Sequence, residues 1–170
     1  ASTLSSSAWD RTDTVYAVVT PFDGTVDGAP VTTDTATVAN TAPVIGPVTL
    51  SPSSPRTNDT VTASASRTDV DPKDSLSTTY AWYVNSAMVA TSATLPGSAF
   101  DKHDSIYLVM TVSDGTTSVS RTSGAISAIN TVPSISSATV TPGTPVEGST
   151  LTCTPAGWSD ADGDGAGYRY

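Results

Sequence analysis

"FDKHDSIYLVMTVSDGT", residues 100–116, decides the fold. Between Ile106 and Val112 every second side chain is apolar: Ile106, Leu108, Met110 and Val112. A period of two puts all four on one face of a β-strand, and no helical spacing accounts for them. Turn residues close the run at both ends, with Asp101-Lys-His-Asp104 before it and Asp114-Gly115 after it.

The same grammar extends outward in both directions. Residues 43–52 suit a first strand, held to a sheet edge by its prolines. Residues 59–66 alternate, with Val61, Ala63 and Ala65 sharing a face, and residues 78–85 group Tyr80, Trp82 and Val84. Residues 87–95 supply one or two further strands and residues 116–129 the last. Ser and Thr make up about a third of the chain, a composition that favours solvated strand faces and turns over helix.

The chain also resembles itself. "TLSSSAWDRTDTVYAVVTPFDGT" (3–25) aligns with "TLPGSAFDKHDSIYLVMTVSDGT" (94–116), each residue meeting its counterpart 91 positions on. "NTAPVIGPVTLSPSSP" (40–55) aligns with "NTVPSISSATVTPGTP" (130–145) at an offset of 90. Asp69-Val-Asp71 aligns with Asp160-Ala-Asp162. A period of about 90 residues is the size of a β-sandwich domain. The expected organisation is the rear part of one repeat (1–40), a whole repeat (41–130) and the front part of a third (131–170). Two explanations for such boundaries are an excerpt of a longer repeat protein and a filament subunit whose halves complete one another between copies.

About seven strands in 90 residues, with Trp82 on the third and Tyr107 near the start of the sixth, resemble an immunoglobulin-like sandwich. The "NTAP" linker, the Asp-x-Asp loop, "YAWYVN" (80–85) and "VTPFDG" (19–24) together resemble the tandem Ig-like or cadherin-like modules of large bacterial adhesins and surface-filament proteins. The resemblance covers the whole chain. It implies an all-β array of tandem Ig-like sandwiches in an extracellular stalk or adhesive fibre, on a bacterial surface or secreted, often stiffened by calcium. Asp104–Tyr107 falls where such folds place a tyrosine corner. Cys153, the only cysteine, falls near the usual disulfide position; it has no partner and reads as a small buried apolar filler.

Fifteen of the sixteen acidic residues are Asp, and Glu147 is the exception. "SDADGDGAG" (159–167) starts like an EF-hand loop, with Asp160, Asp162, Asp164 and Gly165 at the first four diagnostic positions. The equivalent middle loop, Asp69-Val-Asp71-Pro-Lys-Asp74, breaks that pattern, so a job shared by the two loops is not that of an EF-hand. Sandwich connectivity instead brings Asp69, Asp71, Asp74 and Asp114 to the end entered by Asn40, and Asn130, Asp160, Asp162 and Asp164 to the next such end. Carboxylates converging at an inter-repeat joint are ligands of the type Ca²⁺ takes. The competing reading is that they are Asx-turns and solvated caps. Lys73 is expected to weaken the middle loop, leaving the third-repeat loop as the better candidate. Asp10, Asp13, Asp101 and Asp104 read as structural residues of the opposite corner.

No enzyme is legible. His103 is the single histidine, in a polar corner without a second His or a nearby Cys, and no Gly-rich phosphate loop is present. A net charge of −9 opposes nucleic acid and anionic membrane as partners, and no apolar run is long enough to insert. The expected partners are neighbouring repeats or copies of the same chain, with a glycan or surface receptor as a further class. A carbohydrate-binding module of a secreted protein is the rival reading, with Tyr83 and Trp158 as its aromatics.

Overall fold

The computed structural model describes residues 3–5 and 8–170. The described residues form sixteen β-strands and no α-helix, and a 3₁₀ turn covers Gly97–Ala99. No helix among them is long and apolar enough to cross a membrane. In chain order the strands are β1 (Thr14–Val15), β2 (Val18–Val19), β3 (Val31–Thr32), β4 (Ala36–Thr37), β5 (Val44–Ile45), β6 (Thr49–Ser51), β7 (Val61–Ser64) and β8 (Arg67–Thr68). Then follow β9 (Ser77–Val84), β10 (Ala87–Ala90), β11 (Thr94–Leu95), β12 (Ser105–Ser113), β13 (Ser118–Thr122), β14 (Ile126–Ser127), β15 (Ser137–Thr141) and β16 (Thr152–Ala156).

The largest sheet runs β10-β9-β12-β13, with β14 also paired to β12. A three-stranded antiparallel sheet runs β11-β7-β6, and β1/β4, β2/β3, β5/β8 and β15/β16 are two-stranded antiparallel ribbons. Two compact units emerge. The first holds Ala1–Pro47, Ala65–Thr79 and Met110–Arg121; the second holds Val48–Ser64, Tyr80–Val109 and Thr122–Tyr170.

The alternation of the opening stretch is realised without a slip. Along β12, Ile106, Leu108, Met110 and Val112 are buried, and the residues between them are half-buried. On β9, Trp82 and Val84 are buried and Tyr80 half-buried, and on β7 Val61 is fully enclosed. The indole Nε1–H of Trp82 donates to the Ser92 carbonyl at 2.9 Å, so its burial leaves no polar atom unpaired. Burying side chains of this size is what a β-sheet needs to hold together in water.

The structure departs from the sequence reading in three places. Residues 43–52 form two strands, because Pro47 has no N–H for a continuous ladder: β5 pairs with β8 and β6 with β7. Residues 116–129 are likewise interrupted, and Ser123 takes over, its N–H donating to the Leu108 carbonyl at 2.8 Å and its Oγ accepting the Leu108 N–H at 3.0 Å. Tyr107, as the register of the opening stretch requires, occupies the outward face of β12 and stacks on Tyr83, ring centroids 4.8 Å apart and 2° from parallel. Cys153 is exposed, not buried, because the β15/β16 ribbon has no second sheet against this strand among the described residues.

Local bonds recur at the spacing of the sequence repeat. The Asp10 N–H donates to Asp13 Oδ2 at 2.9 Å, and the Asp101 N–H to Asp104 Oδ2 at 2.7 Å. Thr12 and His103, the residues inside these turns, have φ of 71° and 72°. The Thr12 N–H donates to the Val38 carbonyl, as that of His103 does to Ala128. Asp23 Oδ1 accepts the N–H groups of Thr25 and Val26, and Asp114 Oδ1 those of Thr116 and Thr117.

Candidate metal centres

Each unit contains one acidic loop, and the two loops are built alike. In the first unit the Asp71 N–H donates to Asp69 Oδ1 at 2.9 Å, an Asx-turn that points the intervening Val70 outward. Asp71 Oδ2 then accepts the N–H of Thr41, in the linker, at 2.8 Å. In the second unit the Asp162 N–H donates to Asp160 Oδ1 at 2.8 Å, and Asp162 Oδ2 accepts the Thr131 N–H at 2.5 Å. The Thr131 hydroxyl adds a bond to Asp162 Oδ1 at 3.0 Å. The buried Thr57 hydroxyl, followed by these Thr131 donors, holds the Asp162 carboxyl below the usual carboxylate range.

Both loops bring three carboxylates together. Asp69, Asp71 and Asp74 each offer an oxygen within 4.8 Å of the other two, and so do Asp160, Asp162 and Asp164. Such a trio repels itself unless protonated or balanced by positive charge. Asp69 Oδ2, Asp74 Oδ2 and Asp160 Oδ2 are buried without a hydrogen-bond partner. Buried acceptors are normally paired, so these oxygens suit a hard cation, for which carboxylate oxygens are the preferred donors.

The other sequence-derived ligands divide. Asn40 turns its amide nitrogen toward Asp114, donating to Asp114 Oδ2 at 2.9 Å, to Thr117 Oγ1 at 3.1 Å and to the Thr41 carbonyl at 3.1 Å. Asp114 is therefore engaged by Asn40 and by the N–H groups of Thr116 and Thr117, and these donors, Asn40 first, hold its carboxyl far below the usual range. It serves as a buried linker clamp rather than as a fourth member of the trio. Asn130 is exposed and donates to the Thr131 carbonyl at 2.7 Å.

Positive charge enters from residues the sequence reading passed over. The Arg11 Nε–H pairs with Asp74 Oδ1, and Asp74's side chain is completely enclosed. Ninety-one residues on, Lys102 Nζ pairs with Asp164 Oδ1, and Asp164 raises the affinity of that amine for its proton. Lys73 does not sit among its own loop's carboxylates. Its largely exposed side chain reaches Asp10 Oδ2 at 3.2 Å and Asp13 Oδ1 at 3.9 Å. Asp10 and Asp13 are thus drawn to the loop instead of standing apart from it. The available signal was the basic residue at equivalent places in Trp9-Asp-Arg11 and Phe100-Asp-Lys102.

Other candidate chemistry stays separate. His103 is exposed at its turn, and Asp104 is engaged by the Asn85 amide at 2.6 Å. Tyr83 and Tyr107 turn ring faces toward each other, and Trp158 packs edge-on to Tyr168, 5.8 Å between centroids, while donating to the Asp164 carbonyl at 3.2 Å. No family model, curated protein or solved structure matches the chain.

Proposed function

We propose that the chain is a non-enzymatic structural or adhesive segment of an extracellular, bacterial stalk or surface filament, built from tandem Ig-like sandwich repeats. The observation that carries this reading is the duplicated linker bond: Thr41 N–H to Asp71 and Thr131 N–H to Asp162, each loop closed by the same Asx-turn. A bond that ties each Asn-Thr-x-Pro linker to the loop beyond it restricts the freedom of a joint. Proline narrows that freedom further by fixing its own φ and limiting the residue before it. Recurring joints of this kind suit a spacer, whose stability is the sum of repeat and neighbour terms.

Calcium belongs to the same reading. Asp69, Asp71 and Asp74 at one joint, and Asp160, Asp162 and Asp164 at the next, would hold the ion, which would supply positive charge that draws the carboxylates together. The partners are neighbouring repeats of the same protein. Antibody labelling of intact producing cells tests the location: the segment is expected to be reachable without lysis, and labelling only after lysis refutes the extracellular reading. Thermal unfolding with millimolar calcium and with chelator tests the metal, since an ion bound only by the folded state must raise the melting temperature.

A further inference from the structure

We infer that the basic side chains of Arg11 and Lys102 are tethered counter-ions, which hold the third aspartate of each acidic loop and compete with a divalent cation for it. Only the competition rests on the calcium reading; the ion pairs stand on their own geometry.

The pairs occupy equivalent places. Arg11 meets Asp74 and Lys102 meets Asp164, at separations of 63 and 62 residues. In both cases the cation comes from the turn before the linker and the carboxylate from the loop after it. Asp74 has no exposed side-chain surface, its second oxygen is unpaired, and its first oxygen is held by Arg11. A buried carboxylate stripped of its partner is strongly disfavoured. The guanidinium also cannot shed its proton, and a second nitrogen, Nη1, donates to Thr116 at 3.2 Å, which fixes the fork.

The two loops differ in how firmly the counter-ion is held. Lys102 is a single ammonium on a flexible stem, and its partner Asp164 is 39 % exposed, against none for Asp74. An arriving divalent cation therefore displaces Lys102 more readily than Arg11. The third-repeat loop is the weaker latch and the stronger cation site. The sequence reading reached the same ranking by way of Lys73, which in fact faces Asp10 and Asp13.

Isothermal titration of calcium into the full chain tests this, comparing the wild type with Arg11→Gln, Lys102→Gln and the charge-preserving Arg11→Lys. Circular dichroism of each variant checks folding, and Lys102→Gln, at the more exposed pair, serves if Arg11→Gln does not fold. The expected result is at least a tenfold gain in calcium affinity on removing either charge, with Arg11→Lys falling between the wild type and Arg11→Gln because an ammonium is displaced more readily than the guanidinium fork. A merely structural role would lower affinity instead. If the wild type binds calcium and both neutral variants bind it equally or less well, the competition is refuted while the calcium reading survives. If no variant binds, both fall.

Discussion

Gly97 is enclosed against the turn at Asn58, where a Cβ would lie 2.3 Å from the Asn58 Cα and 2.4 Å from its carbonyl carbon. No side chain is there to rotate away, so the backbone itself must move. We expect Gly97→Ala to cost about 3 kcal/mol, toward the upper end for overpacking, read as a lower denaturant midpoint at unchanged slope. Lys73 makes the opposite case. Its pairs with Asp10 and Asp13 are made by a side chain 69 % exposed, and such pairs contribute about 1 kcal/mol or less. Lys73→Ala should therefore leave the melting temperature nearly unchanged. At this scale the sequence told least. It showed that Lys73 lay in the loop, but only the packed structure shows that the lysine reaches out of it while Arg11 reaches in.

At the scale of the element, the turn Asp114–Thr117 carries a pH dependence. Three groups of donors hold the Asp114 carboxylate ionised, so its folded pKa lies below the ordinary unfolded value of about 3.9. Where the unfolded chain binds the extra proton, stability rises with pH. This contribution is complete above the unfolded pKa and disappears as pH falls through the folded one. Acid unfolding followed from pH 5 to pH 2 should therefore be shallower in Asp114→Asn than in the wild type. The strands themselves were the most legible elements. From Ile106 to Val112 one face carries four aliphatic side chains against Tyr107, Val109 and Thr111 on the other, and β12 adopts the register that buries the four. The interruption at Ser123 was hidden, because a serine that ends a ladder is composed no differently from one that continues it.

For the whole molecule, like bonds occur in segments whose sequences align: Asp10 to Asp13 and Asp101 to Asp104, Asp71 to Thr41 and Asp162 to Thr131. The acidic clusters were readable because their aspartates fall in short loops, where proximity in sequence guarantees proximity in space. The counter-ions were not, since Arg11 and Asp74 lie 63 residues apart and only the fold brings them together.

The ribbons β2/β3 and β15/β16 carry a consequence for handling. Val18, Val19 and Val31 are 55–68 % exposed, and Val140 is 54 % exposed, each on a strand with a free edge. Copies of the chain have greasy, strand-forming margins that attract one another. Their net charge of −9 keeps them apart at neutral pH. That colloidal protection vanishes near the isoelectric point of about 4.1. Light scattering against pH should show a sharp rise in aggregate size there, and added salt at pH 7 should bring the chain partway toward the same state by shortening the range of the repulsion.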